Sequence, residues 1–410
     1  MTSFSEKYNR EEDKKTLNPE QVSAVEKSLN GKMSIITGGA GTGKTTIIKE
    51  IAKRLECFYL CAPTGKAAAR LREASGLDSS TIHKMLGYNG STFTVKSLAG
   101  NNIIIDEASM IDSQLMAEII KRHPAKLILV GDAAQLPPVG VGSPFHDLVK
   151  IRPDIVSDLK YCYRNKEAIF HAANQIRNGV MPQKSEKSDA ELWEMRQTGT
   201  PENTQKILCD WIASGAFDFE KDIIICPKNG EKTKSGEDEL IPGTVHGLNK
   251  AIMDIVNPHA DGEKWRVNDR IMCLKNFADS DVWNGTTGTI SAIDSDGCAW
   301  VKTDVPVFDS LAGCYADRAK FTKEILSNCQ HAYALTVHKS QGSQYRNVIF
   351  CCFARDSYMM LNRSLVYTAV TRAQKACIVV GDTRSFYSAI NVQGERRTVL
   401  KELKKQEKAA

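Results

Sequence analysis

From Leu17 onward the chain repeats one pattern: a short apolar run, a break rich in Gly, Pro or Asp, then a stretch with helical spacing. The runs Ile35–Ile36, Phe58–Ala62, Ile103–Ile105 and Leu127–Val130 are continuous rather than alternating, which marks strands buried on both faces. Between them Thr45–Leu55 and Ala67–Ala74 have the spacing of helices. Apolar strands that alternate with helices predict an α/β fold built on a doubly wound parallel sheet. A second set begins near Ile151 and includes Ile223–Cys226, Asn347–Cys352 and Ala376–Val380, predicting a second α/β domain.

Within that second set the rhythm changes. Ile271–Leu274, Gly288–Ile293 and Ala299–Thr303 are short and separated by turn pairs, Asn284-Gly285 and Asp296-Gly297, as in a small β-barrel. The division expected is therefore a flexible lead-in over residues 1–16 and a first domain over 17–150. A second domain is expected from 151–264 and 331–410, with an inserted barrel over 265–330. A shorter insertion, Tyr88–Gly100 within residues 86–101, predicts a hairpin around Thr92–Val95. The linker Met181–Asp189 is polar, and the tail Lys401–Lys408 is basic.

Composition narrows the class only a little. The 410 residues are 42% hydrophobic and 25% charged, as in ordinary globular proteins. The net charge of +5 permits an anionic polymer as partner without requiring one. No apolar run approaches the roughly 18 residues of a membrane span, and Met1–Lys15 lacks the apolar core of a signal peptide. The twelve cysteines form no CxxC pair, which argues against a cysteine zinc site and for a reducing compartment, the cytoplasm.

The chemistry concentrates in Gly38-Gly39-Ala40-Gly41-Thr42-Gly43-Lys44-Thr45, which follows an apolar strand and opens a helix. In that setting the backbone N–H groups wrap phosphates, and the helix N-terminus adds partial positive charge. Lys44 then reaches the β/γ-phosphates, the Thr45 hydroxyl ligates Mg²⁺, and Thr46 completes the nucleotide loop. About sixty residues on, Ile103–Ile105 runs into Asp106-Glu107. A strand ending in two acids beside a phosphate loop supplies a Mg²⁺ partner, Asp106, and a base for the attacking water, Glu107. The next strand leads into Gly131–Pro138, where Gln135 is expected to sense the γ-phosphate or orient water.

These segments and several others resemble the ordered motifs of superfamily 1 helicases. Leu17-Asn18-Pro19-Glu20-Gln21 is similar to motif Q, Ala62–Ala68 to motif Ia, Ser80–His83 to motif Ib, and Asp106–Ser109 to motif II. Gly131–Pro138 is similar to motif III, Tyr163-Arg164 to motif IV, Ala334–Gly342 to motif V and Val366–Ala373 to motif VI. The wording of Thr336–Gly342 and Tyr367–Arg372 resembles the RecD and Dda branch, whose members travel 5′→3′. Trp265–Arg270 through Asn284-Gly285 also resembles the lead into that branch's inserted Src-homology-3-type barrel.

The resemblance implies two RecA-like domains, with Gln21 reading adenine and Arg164 and Arg372 reaching the γ-phosphate from the far domain. It implies contacts to the strand from Pro63, Thr64, Gly65, Lys66, Thr81, His83, Thr336, His338 and Lys339. Cationic groups from outside the loop suit a transition state that spreads negative charge. Two departures stand out: Gln344 occupies a position where relatives often carry an acid, and the Tyr88–Gly100 insertion is too short for a long strand-splitting pin.

The resulting expectation is a monomeric, ATP- and Mg²⁺-dependent 5′→3′ helicase or translocase on single-stranded DNA and forked or 5′-tailed duplex, in a bacterial or phage-infected cell. Replication or recombination proteins are its expected partners. Two alternatives stay open: a motor of the same superfamily that tracks RNA or does not unwind, and a nucleotide-dependent clamp without motor activity.

Overall fold

In the computed structural model the described residues are 17–161, 168–185, 191–231, 239–260, 262–277, 280–309, 313–353, 359–394, 398–400 and 402. The lead-in 1–16, Tyr163 and Arg164, much of the Met181–Asp189 linker and nearly all of the basic tail lie outside them.

Six strands form the first sheet: β1 (Met33–Gly38), β2 (Phe58–Ala62), β3 (Ser80–Thr81), β4 (Asn102–Ile105), β5 (Lys126–Gly131) and β6 (Val156–Leu159). Their spatial order is β3-β2-β4-β5-β1-β6, and every pairing is parallel. The continuous apolar runs are explained by burial on both sides, with Ile35, Ile36, Ile103, Ile104 and Ile105 all at 0% exposure. One face packs against a cluster with Leu86, Met116 and Phe145, the other against Ile47, Ile51 and Leu71.

Helix α1 (Pro19–Asn30) begins with a capping box, in which Asn18 Oδ1 accepts from the Gln21 N–H and Gln21 Oε1 accepts from the Asn18 N–H. Helix α2 (Lys44–Ala52) follows β1, and α3 (Gly65–Ser75) follows β2.

The second sheet collects β7 (Leu192–Gln197) and β8 (Asp222–Cys226) with three strands from the far end of the chain. Between them comes a separate antiparallel sheet of β9 (Arg270–Cys273), β10 (Thr287–Ile293), β11 (Ala299–Asp309), β12 (Cys314–Phe321) and β13 (Cys329–His331). The chain then returns as β14 (Ala334–Thr336), β15 (Tyr345–Cys352) and β16 (Ala373–Gly381). The second parallel sheet has the order β14-β8-β15-β16-β7, and the inserted sheet has the order β12-β11-β10-β9-β13.

Strands β8 and β14 are therefore sheet neighbours, although the helix Val245–Val256 and the whole insert separate them in sequence. The insert keeps its own core of Ile271, Ile290, Val301, Phe321 and Leu326. Its expected turns occur at Gly285 (φ 92°) and Gly297 (φ 70°). The Tyr88–Gly100 segment forms a small hairpin closed by a Tyr88–Phe93 bridge. Among the described residues no helix is long and apolar enough to cross a membrane.

Candidate nucleotide site and nucleic-acid cleft

In parallel α/β sheets, ligands bind beyond the carboxyl ends of the strands. Here β1 leads into the glycine loop, β4 into Asp106 and β5 into Asp132, so strand order brings all three together. The loop needs its glycines. Gly43 has φ 83°, and a Cβ on Gly38 would lie 2.7 Å from Thr42 Oγ1 and 2.9 Å from the Leu159 side chain. Lys44 Nζ donates to the Gly38 carbonyl at 2.7 Å and the Gly39 carbonyl at 2.8 Å, folding the ammonium over the cradle. Gln21, buried at 2% exposure, donates through Nε2 to the Thr42 carbonyl at 3.2 Å, so it braces the loop as well as capping α1.

The acids of β4 are held under tension. Glu107 has φ 52°, a left-handed conformation rare for a non-glycine residue, and its N–H donates to Asp106 Oδ1 at 2.9 Å. Burial and the adjacent Glu107 raise Asp106 to about 6, with Lys44 and Arg70 pulling the other way. Two carboxylates crowded in this manner favour a cation between them and the phosphates. Thr45 at the start of α2 and Asp106 supply the hard oxygen donors that suit Mg²⁺.

The second domain closes over the loop. Tyr367 OH donates to Asp132 Oδ2 at 2.8 Å, and that hydroxyl would lie 3.1 Å from a Cβ on Gly39. The Leu136 N–H donates to Thr368 Oγ1 at 2.9 Å. Gln135 is 5% exposed, and its Oε1 makes no hydrogen bond. Arg372, 3% exposed, donates to the Thr368 and Ser343 carbonyls, both at 3.1 Å. Arg164 lies outside the described residues.

Sequence reading missed Arg70, on α3. Its guanidinium donates to the Gly342 carbonyl at 3.0 Å; burial and the nearby Arg372 lower its pKa, while Glu107 and Asp106 raise it. One side chain thus feels both acids and the far-domain arginine. No sequence signal pointed there, because the partners lie far along the chain. Tyr367 and Thr368 were inside a quoted motif, but nothing in the spacing singled them out.

A cleft of about 860 Å³ opens between the carboxyl ends of β2 and β3 and those of β8 and β14. All nine residues predicted to touch a strand line it: Pro63, Thr64, Gly65, Lys66, Thr81, His83, Thr336, His338 and Lys339. Three also serve as local caps, with Thr64 Oγ1 accepting from the Ala67 N–H, Thr81 Oγ1 from the Lys84 N–H and Thr336 Oγ1 from the Lys339 N–H. Lys66 Nζ donates to Thr287 Oγ1 at 3.1 Å and lies 3.9 Å from Asp304, both on the insert; Lys339 Nζ donates to Gln330 Oε1 at 2.9 Å.

His83 packs beside Tyr88 and Phe93 of the hairpin, with ring centroids 5.4 and 5.8 Å away, and burial lowers its pKa. The cleft gains a wall that sequence reading did not identify, where Trp283 of the insert lies against Gly65. The Asn284-Gly285 turn that follows was the available signal. Gln344 accepts from Gln374 Nε2 at 3.2 Å.

Comparison with known proteins agrees with this architecture. A family profile described as an AAA domain matches residues 16–193, and one described as a UvrD-like helicase C-terminal domain matches residues 331–380. The chain is 32% identical over 400 residues to the ATP-dependent RecD2 DNA helicase of Deinococcus radiodurans, covering 94% of this chain and 52% of that protein. It is 29% identical over 433 residues to the RecBCD enzyme subunit RecD of Mycolicibacterium smegmatis, covering 93% and 74%. The chain thus spans about half the length of the Deinococcus relative.

Among solved structures, Pif1 helicase from Bacteroides in complex with ADP-AlF3 and ssDNA superposes with a TM-score of 0.56 at 17% identity, covering 96% of this chain and 98% of that one. That likeness concerns the fold. The phosphate loop, the ordered motifs and the RecD relatives agree: over nearly its whole length this chain is similar to RecD-like helicases of superfamily 1.

Proposed function

We propose that the chain is an ATP-driven DNA helicase or translocase that moves 5′→3′ along a single strand in the cytoplasm. The observation that carries this reading is the double seam between the parallel-sheet domains. One part of the seam encloses the glycine loop, Asp106, Glu107 and Arg372; another opens into the cleft lined by the nine predicted strand contacts. Arg70 lies on both, since α3 begins at the cleft with Thr64 and reaches the acids one turn and a half later.

In this reading Lys44 leaves the Gly38 and Gly39 carbonyls for the β/γ-phosphates, and Gln21 helps hold the loop against adenine. Bound Mg²⁺ neutralises charge on the phosphate oxygens. Glu107 takes the proton of the attacking water, Gln135 orients that water, and Arg372, with Arg164, stabilises charge on the transferred phosphoryl group. Nucleotide loss releases the Tyr367–Asp132 and Thr368–Leu136 bonds, so the domains part and re-grip the strand. The inserted sheet serves as a Src-homology-3-like barrel that walls the cleft through Trp283. The relatives support the DNA substrate: a DNA helicase in Deinococcus, and a Bacteroides Pif1 helicase in complex with ssDNA.

The test is strand displacement on 5′- and 3′-tailed DNA and RNA duplexes, run beside ATP hydrolysis with and without a single-stranded oligonucleotide. Unwinding from the 5′ DNA tail and oligonucleotide-stimulated hydrolysis are expected. Unwinding only from a 3′ tail would reverse the polarity, and nucleotide binding without turnover would favour a clamp.

A further inference from the structure

The inserted sheet joins the second parallel domain at one root, where the incoming chain (His259, Asp269) meets the outgoing strand (His331). His259 Nε2 lies 2.9 Å from Asp269 Oδ1, and His331 Nε2 lies 3.4 Å from Asp269 Oδ2. One ligand atom from each of the three residues falls within 4.8 Å of the others. Asp269 is wholly buried, and its carboxylate accepts hydrogen bonds from the Arg266 N–H and from Asn257 Nδ2.

The donor and acceptor pattern around His259 does not close by itself. Its Nδ1 faces the Glu263 carbonyl oxygen at 3.1 Å. A carbonyl only accepts, so Nδ1 carries the proton, and in a neutral ring Nε2 is then a bare lone pair. That lone pair points at a carboxylate oxygen, which also only accepts. Two acceptors 2.9 Å apart need a cation to reconcile them. On the other side of the carboxylate, His331 Nε2 is buried and makes no hydrogen bond.

We propose that His259 Nε2, the Asp269 carboxylate and His331 Nε2 hold a divalent transition-metal ion of the zinc class, which ties the inserted sheet to the second parallel domain. Two imidazoles and one carboxylate suit Zn²⁺ or Co²⁺, whereas Mg²⁺ and Ca²⁺ take oxygen donors, so this site is chemically distinct from the nucleotide site. The surroundings are those of a ligand set. The Glu263 carbonyl fixes the tautomer of His259, as outer partners do for metal-bound imidazoles. Asn257 Nδ2 (2.9 Å), the Arg266 N–H (2.8 Å) and Tyr333 OH (3.3 Å) orient the carboxylate. The Trp265 ring lies 4.8 Å from that of His331 and shields one side.

The test uses the full chain, free of any histidine tag and stripped with a chelator. Titration with Co²⁺ is expected to give one equivalent with a tetrahedral visible absorption band that Zn²⁺ bleaches, and Zn²⁺ is expected to raise the melting temperature. His259→Gln and His331→Gln should each weaken Co²⁺ binding by more than the roughly 10–100-fold that loss of an outer partner costs. Circular dichroism and Mg²⁺-dependent ATP hydrolysis, both unchanged, establish that those variants fold. Failure of the parent chain to bind Co²⁺ or Zn²⁺ overturns the proposal, as does binding that survives both substitutions. A melting temperature indifferent to Zn²⁺ also overturns it.

Discussion

The glycine-loop end of the interdomain seam and the open cleft are built from the same two sheets, yet they use side chains in opposite ways. At the loop nearly every functional group is crowded: Glu107 sits in a left-handed backbone, Asp106 is pushed up to about 6, and Tyr367 and Arg372 are buried with their polar atoms committed. At the cleft, Thr64 and Thr81 are ordinary helix caps and Thr336 accepts from the Lys339 N–H, and all three also face an open channel. Catalytic chemistry demands strained, single-purpose positions. Gripping a polymer at many points does not, because each contact contributes little and can be lent by a residue already employed in the fold.

This contrast can be broken first at the crowded end. Lys44→Ala and Glu107→Gln should each lower ATP hydrolysis by about 10³-fold or more, as loss of phosphate positioning or of the general base does. Circular dichroism should be unchanged, and near-parental phosphate release from either purified variant would remove the assignment. Arg372→Ala should follow at about 10²-fold in kcat with a small change in KM for ATP, the pattern of a group acting on the transition state. A change in KM alone would restrict that arginine to binding.

Arg70→Ala sharpens the link between the two regions. Turnover without DNA should fall only a few-fold, while stimulation by an oligonucleotide is lost, because Arg70 joins α3 to the acids and to the Gly342 carbonyl. Full stimulation in that variant would show that coupling runs elsewhere.

The raised Asp106 gives a pH dependence of definite sign. In the Mg²⁺-free site its charge is present above about 6 and lost below, so the affinity for Mg²⁺ should weaken as pH falls through 6. The same raised value means that the ionised form costs stability above pH 6. The Mg²⁺-free protein should therefore gain a contribution from this group as pH drops from 6 towards 4, and Asp106→Asn should abolish that increment in thermal melts. At the cleft the effects are smallest: Lys66→Ala should weaken oligonucleotide binding a few-fold and reduce the salt slope of log K by about one, as for a single phosphate contact.

The two regions were also unequally legible in the sequence. The glycine loop and Asp106-Glu107 are contiguous strings whose chemistry follows from local geometry, so their roles could be assigned residue by residue. Seven of the eleven strands in the two parallel sheets were equally plain, because strands buried on both faces print as continuous apolar runs; β3, β6, β7 and β14 were not read as strands. What stayed hidden depends on distant chain segments meeting. Arg70 acquires its significance only beside Arg372 and Gly342, and Trp283 only against Gly65. Strand β11 runs on to Asp309, past the expected end at Thr303. Pro306 falls where the β11–β12 register shifts between Lys302 and Val307, and a bulge accommodates a residue without an N–H. The cap residues of the cleft were identified through motif resemblance alone, since a threonine before a helix carries the same local signature whether or not a strand lies over it.

The root of the insert carries a mechanical consequence. Since β8 and β14 adjoin, and the Ala332 N–H donates to the Arg270 carbonyl, the insert leaves and rejoins its parent domain at nearly one point. Its opposite side leans on the first domain, where the Arg72 guanidinium lies 3.6 Å from the Tyr315 ring centroid and Lys84 Nζ lies 3.7 Å from Asp281. A body hinged at one spot and propped at the other end behaves as a strut. When the domains separate, either the prop slips or the hinge bends, and the stiffness of that hinge sets how much of the stroke is delivered to whatever the insert holds.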